Sequence, residues 1–307
     1  MKKDLLSISD LDRKEAEALI EQALHMKREG PSSLLAGKTL ALLFEKPSLR
    51  TKVSFQMAMH RLGGHSIYMS PEEVGLGKRE PVADVARVLS RYVDAITART
   101  FAHETVRILA EHSPVPVINA LSDLEHPCQS LADLLTIREK KGKLSGLTLA
   151  YVGDGNNVAN SLLLAACLVG VNFSIATPQG YQLEEGMLNR GKEYAAAGGS
   201  RVRTTTDPYE AVKDADVVYT DVWTSMGQEK EGQKRRHAFS GFQVDTRMLD
   251  AAKKDVIFMH PLPAHPGEEI APGLLDDPRS VVFDEAENRL HAQKALLARL
   301  LAPGKEG

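Results

Sequence analysis

The sequence predicts an α/β protein of two domains, each a parallel sheet flanked by helices, with the active site in the cleft between them. Three observations lead there. Short apolar runs alternate with helix-period segments from 39 to 139, and a polar segment, Lys140-Lys141-Gly142-Lys143-Leu144-Ser145-Gly146, then breaks the rhythm. A second alternating series begins at Leu147-Thr148-Leu149-Ala150-Tyr151-Val152. Strands separated by helices make parallel sheets, because parallel neighbours need a long crossover. A polar break between two such series marks a domain boundary near 140, giving domains over 1–140 and 147–285.

In chain order, Ser9 or Asp10 is placed to cap a helix carrying Ala16, Leu19, Ile20, Ala23 and Met26 on one side and stopping at Gly30-Pro31. Strands are expected at 39–44, 65–69, 94–98 and 115–119, with helices at 52–62, 81–90, 103–112 and 127–139 between and after them. The second series adds strands at 172–176, 202–206, 216–220 and 256–260. The tail 285–301 reads as a helix with Leu290, Leu297 and Leu301 along one stripe. Two polar, Gly-containing stretches, 70–80 and 224–245, fit neither period and are expected to be long loops of the kind that form lids or binding loops.

Bulk properties exclude several classes. Of 307 residues 43% are hydrophobic and 26% charged, which suits a soluble globular chain, and a net charge of -3 with mixed signs leaves no footprint for nucleic acid or an anionic membrane. Any anion must be held locally. Cys128 and Cys167 form neither a disulfide framework nor a metal-type spacing, and no signal peptide or membrane span is evident, so a cytoplasmic protein is expected. His260, His265 and His291 show no metal-ligand spacing either.

The most informative segment is Phe44-Glu45-Lys46-Pro47-Ser48-Leu49-Arg50-Thr51. It joins an apolar strand to a helix, so unpaired N–H groups and the positive helix end converge where Arg50, Ser48 and Thr51 add donors. Each charge-assisted bond to an anion contributes roughly 1.5–3 kcal/mol. An ordinary capped helix with a solvated arginine is the alternative reading. Arg99 follows the third strand and His126-Pro127-Cys128-Gln129 the fourth; in the second series Asp154 to Asn157, Asp221 to Met226 and His260-Pro261-Leu262-Pro263 follow strands as well. Open α/β sheets bind ligands at that carboxyl edge, and two such edges facing one another would form the cleft. Taken singly, Arg99 reads more readily as a surface cation, His126 as a loop residue, Cys128 as packing and Trp223 as a loop anchor.

Gly153-Asp154-Gly155-Asn156-Asn157 after a strand resembles a dinucleotide turn, which makes an NAD-dependent dehydrogenase the rival of another class. Val158 at the third glycine position and Ile175-Ala176-Thr177-Pro178, without an acid for the ribose, oppose it. Paired asparagines offer amide donors and acceptors suited to an amino acid.

Together with Glu125-His126-Pro127-Cys128-Gln129, Asp221-Val222-Trp223-Thr224-Ser225-Met226-Gly227-Gln228-Glu229 and Glu287-Asn288-Arg289, these segments carry a resemblance over nearly the whole chain to the ornithine carbamoyltransferases of the aspartate/ornithine carbamoyltransferase superfamily. The resemblance implies carbamoyl phosphate in the first domain, L-ornithine in the second, and L-citrulline and phosphate as products, in arginine biosynthesis or, in the other direction, arginine breakdown. It implies that Ser48, Leu49, Arg50, Thr51 and Arg99 hold the phosphate. His126, Thr51 and Arg99 would polarise the carbonyl oxygen, and Gln129 would orient the carbamoyl amide. Arg289 would arrive on a last helix, 286–301, that rejoins the first domain. Asn157, Asp221, Ser225 and Met226 match the ornithine-binding positions. No metal or organic cofactor is implied, and a homotrimer or multiple of trimers is, with a neighbour's loop from within 70–80 entering the site.

Three positions depart from the family pattern. Pro261 stands where the ornithine branch has cysteine, as in the aspartate branch, so aspartate carbamoyltransferase is the nearest alternative; Pro261 and Leu262 still offer backbone carbonyls to the carbamoyl amide. Leu49 replaces a threonine and keeps its N–H. Gly75 replaces a glutamine, which puts the cross-subunit contact in question. Without the thiol, Asp221 or the substrate phosphate must take the proton of the attacking amine, whose pKa lies near roughly 10.

Overall fold

A computed structural model describes residues 2–77 and 79–302. The chain divides into two compact units, the first running up to Leu135 and resuming at Glu287, the second Thr136–Ala286. In the first, α1 (Arg13–Arg28), β1 (Thr39–Phe44), α2 (Leu49–Arg61), β2 (His65–Met69), α3 (Pro71–Val74), α4 (Val82–Leu89), β3 (Ala95–Arg99), α5 (His103–His112) and β4 (Val117–Leu121) lead into α6 (Pro127–Lys141). In the second, β5 (Thr148–Val152), α7 (Asn157–Leu168), β6 (Asn172–Ala176), α8 (Glu185–Gly198), β7 (Val202–Thr205), α9 (Pro208–Val212), β8 (Val217–Tyr219), α10 (Gly232–Ala238), α11 (Thr246–Asp250) and β9 (Ile257–Met259) lead into α12 (Val282–Leu301). The chain passes between units inside α6 and again inside α12.

Both sheets are wholly parallel, ordered β2-β1-β3-β4 and β7-β6-β5-β8-β9. In each the chain first builds outward on one side of the founding strand, then crosses to the other. The reversal leaves a gap at the carboxyl ends of β1 and β3, and another at those of β5 and β8, because successive crossovers turn away from each other there. The same clasp closes the opposite ends. Asp94, just before β3, accepts the Thr39 N–H (2.8 Å) and Lys38 Nζ (2.8 Å); Asp216, just before β8, accepts the Thr148 N–H (2.8 Å) and Lys253 Nζ (2.8 Å). Apolar cores hold each sheet to its helices: Leu43, Ile96, Ala98, Val106 and Leu109 in the first unit, Val152, Val218, Trp223, Phe239 and Phe258 in the second.

Strands β1, β2 and β6 and helix α5 coincide with expectation; other strands start or end within two residues of it. Several expectations need correction. The first helix is capped by Asp12, whose carboxylate accepts the Glu15 N–H (2.8 Å), because Ser7 and Asp10 form a capping box at the amino end of a separate 3-10 turn, Ile8–Asp10. Helix α2 starts at Leu49 and not at 52, since Ser48 supplies the cap. The stretch 70–80, apart from Lys78, which lies outside the described residues, holds the capped turn α3, ended by Gly75 at φ 53. That left-handed backbone favours glycine over glutamine. The stretch 224–245 contains a 3-10 turn, Glu229–Glu231, and α10. Among the described residues no helix is long and apolar enough to cross a membrane.

Candidate active site

In the first unit, cations fill the gap between β1 and β3. Arg99 is the last residue of β3, paired in register with Phe44, and its carbonyl accepts the Glu45 N–H (2.8 Å), which aligns the two chain exits. Ser48 caps α2 by accepting the Thr51 N–H (3.3 Å), so Leu49, Arg50 and Thr51 form the first helical turn, where N–H groups lack helical partners. The Leu49 side chain is 75% exposed, so only its backbone can serve the site. Arg289 Nη2 donates to Thr51 Oγ1 (2.7 Å), which leaves the Thr51 O–H as a donor. His126 sits just before Pro127 at the start of α6. Its loop is pinned by Glu125, whose carboxylate accepts the Ile8 N–H (3.0 Å) and the Ser7 hydroxyl. Gln129, one turn on, gives Nε2 to Asp133 Oδ1 (2.8 Å), turning its amide oxygen the other way.

The site residues are buried, and the charged ones among them are cations. Thr51, Arg99, His126, Gln129 and Arg289 are all under a tenth exposed. Burial first, then Arg289 and Arg50, pulls the Arg99 guanidinium down to about 10. Burial, with Arg289 and Arg99, holds His126 well below the usual imidazole range, so the ring is neutral near pH 7. Lys46, buried against the Phe101 ring (4.5 Å), is lowered by burial and by Arg99. Like charges crowded in low dielectric repel strongly, and an anion placed among them removes the penalty.

In the second unit, the gap between β5 and β8 is acidic. Asp221 follows β8 and is buried; Asn156 Nδ2 donates to its Oδ2 (2.8 Å). Asn156 also caps α7, its Oδ1 accepting the N–H groups of Val158 (2.9 Å) and Ala159 (3.1 Å), so one side chain fixes the helix and aims the carboxylate. Gly155 permits that turn: a Cβ there would lie 2.5 Å from the Leu183 nitrogen. Burial raises the Asp221 carboxyl, partly offset by the hydrogen bond from Asn156. Burial, partly offset by Arg235, raises Asp154 to about 6, and Asp221 adds to the rise. A site of this sign suits an ammonium group.

The turn after β9 is held from both sides. His260 N–H donates to Glu285 Oε2 (2.9 Å), and the Leu262 N–H donates to His260 Nδ1 (2.9 Å), so the ring proton sits on Nε2, which faces Glu269 Oε1 (3.2 Å). Leu262 adopts φ 54, a left-handed backbone costing a leucine roughly 1–2 kcal/mol. The hydrogen bonds on either side hold it there. A grouping that the spacing did not suggest also lies here: His265, Glu268 and Glu269 bring one ligand atom each within 4.8 Å of one another. Glu268 already meets Arg236 (3.3 Å), and Glu269 accepts from His260 and the His265 N–H.

Ser48, Leu49, Arg50, Thr51, Arg99, His126, Gln129 and Arg289 thus fold in the first unit, whereas Pro261 and Leu262 fold in the second with Asn157, Asp221, Ser225 and Met226. Asn157 opens α7, half-buried; Ser225 is tied to Gln228, its N–H meeting Oε1 at 3.1 Å, and Met226 is 50% exposed. Sequence reasoning missed Lys46, Asn156 as the partner of Asp221, and Arg235. The first two lay inside segments already singled out; Arg235 lies in a basic run that reads as a solvated face.

Two family models match the chain: residues 3–139 match the carbamoyl-P binding domain of aspartate/ornithine carbamoyltransferase, and 145–300 its Asp/Orn binding domain. The ornithine carbamoyltransferase of Anoxybacillus flavithermus is 52% identical over 303 residues, covering 97% of this chain and 96% of the relative. The anabolic ornithine carbamoyltransferase of Pyrococcus furiosus is 51% identical over 303 residues, covering 97% and 96%. A solved structure of ornithine carbamoyltransferase from Pyrococcus furiosus superposes with a TM-score of 0.95 at 51% identity, covering 99% of this chain and 98% of that one.

Inorganic phosphate placed beside Arg50, Arg99 and Arg289 would add negative charge near His126 and favour its imidazolium, so the pKa of that ring is expected to rise when phosphate is added. An NMR titration of the histidine rings with and without phosphate checks this. A His126 resonance whose midpoint ignores saturating phosphate would show that the anion does not sit among these side chains.

Proposed function

The chain belongs to the aspartate/ornithine carbamoyltransferase family, and on that premise we propose that it transfers the carbamoyl group of carbamoyl phosphate to the side-chain amine of L-ornithine, giving L-citrulline and phosphate. The observation that carries the reading is the buried like-charge pair Arg99 and Arg289 with Arg50 close by and a neutral His126 beside them, a crowding that a doubly negative donor relieves. In this reading Ser48, Leu49, Arg50 and Thr51 bind phosphate with Arg99 and Arg289. Arg99, His126 and the Thr51 hydroxyl donate to the carbonyl oxygen as negative charge grows there, each such donor contributing about 2.7–4 kcal/mol. Gln129 accepts from the carbamoyl amide, as do the carbonyls of Pro261 and Leu262.

Asn157, Asp221, Ser225 and Met226 hold ornithine. Its amine must be neutral to attack. The nitrogen–carbon bond forms, the bond from carbon to the phosphate oxygen breaks, and the amine proton passes to Asp221 or to the departing phosphate. Asp221, raised by burial, is biased toward accepting it. Holding donor and acceptor in fixed orientation supplies proximity, and excluding water protects the carbamoyl group. Because no cysteine stands at 261, aspartate is the nearest alternative acceptor. Its second carboxylate would meet Asp154, Asp221 and Glu269, a repulsion that favours ornithine.

The same reading places the protein in arginine biosynthesis, the sense carried by the anabolic Pyrococcus furiosus relative. Two buried free cysteines, Cys128 and Cys167, suit the cytoplasm. A homotrimer, or a multiple of it, is supported by an apolar stripe on α2, Leu49 (75% exposed), Val53 (46%) and Met57 (37%), beside the edge strand β2, where Ile67 is 51% exposed. Exposed apolar surface next to a sheet edge is the kind that subunits cover.

The assay that tests the function supplies carbamoyl phosphate with either amine: citrulline is the expected product, and carbamoyl-aspartate alone would overturn the assignment. Asp221→Asn is expected to raise the KM for ornithine far more than that for carbamoyl phosphate; equal loss of both contradicts the division of labour. Val53→Glu is expected to dissociate the oligomer in sedimentation velocity, and a wild-type protein that sediments as a monomer refutes the trimer.

A further inference from the structure

Arg235 stands in the run Lys234-Arg235-Arg236-His237, yet its side chain is 8% exposed where that of Arg236 is 55% exposed. Its guanidinium gathers three pieces of chain from α10. Nη1 donates to Asp154 Oδ2 (2.7 Å), in the turn after β5, and to the Trp223 carbonyl (2.9 Å), in the loop after β8. Nε donates to Glu231 Oε2 (3.2 Å), and the plane lies 5.0 Å from the Tyr181 ring centre. Trp223 in turn stacks on Phe239, at the end of α10 (5.6 Å). The two segments joined by Nη1 are the two that flank the gap between β5 and β8, and Trp223 lies two residues from both Asp221 and Ser225.

We infer that Arg235 is a positioning residue for the acceptor: by gripping Asp154 and the Trp223 carbonyl together it sets the course of the 221–229 loop, and so the placement of the groups that bind an amino acid carrying a side-chain amine. The inference rests on the ornithine reading above and deepens it. An arginine fits because one planar guanidinium serves Asp154 and the Trp223 carbonyl through Nη1 and Glu231 through Nε at fixed angles, a span that the compact ammonium of a lysine does not cover. The charge matters as well as the shape. Burial, with Asp221 and Glu231, raises the Asp154 carboxyl, and Arg235 opposes that rise.

Steady-state citrulline formation by the full chain, with each substrate varied in turn, tests this in Arg235→Gln, Arg235→Lys and Asp154→Asn. The KM for ornithine is expected to rise roughly ten- to a hundred-fold in the Gln and Asn variants, with the KM for carbamoyl phosphate nearly unchanged and kcat falling less than kcat/KM. The Lys variant falls between. The acid limb of kcat/KM for ornithine moves to higher pH in Arg235→Gln, where nothing offsets Asp221 and Glu231. Trp223 is the sole tryptophan, so its emission reports the loop without turnover and is expected to shift to longer wavelength in Arg235→Gln. Unchanged ornithine KM in both the Gln and Asn variants, or equal rises for both substrates, would overturn the inference; if the Gln variant lacks a melting transition, Asp154→Asn decides. A wild-type chain that forms no citrulline removes the ornithine reading, and this inference with it.

Discussion

Repulsion among buried cations is the constraint on which the first unit is organised. Arg99 and Arg289 are nearly inaccessible and lie within electrostatic reach of each other, and Arg50 acts on Arg99 as well. Left in low dielectric, such charges favour separation or deprotonation. The scaffold opposes both. Arg99 is locked into a strand by its register with β1, Arg289 rides on a twenty-residue helix and bonds Thr51, and His126 stands on a loop nailed down by Glu125. The resulting site is costly when empty and favourable when filled by an anion, which is how preorganised electrostatics act.

The second unit uses the same topology with the opposite sign. Where the first gap gathers guanidinium groups, the gap between β5 and β8 gathers Asp154 and Asp221, with Asn156 and Arg235 orienting them. A reaction between an anionic donor and an amino-acid amine needs that asymmetry. Topology alone does not supply it; the residues placed at each reversal of strand order do.

Much of this was legible in the residues. Thr39–Phe44 is a largely apolar run between Lys38 and Glu45, so its edges show. Helix α2 began three residues earlier than its periodicity suggested, because a Ser48 cap contributes a hydrogen bond that no apolar pattern encodes. Asp12, not Ser9 or Asp10, starts α1 for the same reason: competition between neighbouring caps is settled by three-dimensional geometry. Arg50, Arg99 and His126 stood out because each lies at or beyond the carboxyl end of a strand. Arg235 did not, since a buried arginine and a solvated one look alike within a basic run, and only its carboxylate partner 81 residues away distinguishes them.

The aspartate clasps at the amino ends of β3 and β8 separate alignment of the strands from the chemistry at their far ends. With strand register secured on the remote side of each sheet, the loops that follow the strands are relieved of holding the sheet together. New acceptor chemistry could then be written into the 221–229 segment by exchanging a handful of side chains, on a chassis that is indifferent to the change. Divergence of substrate within one architecture is what such a division of labour allows.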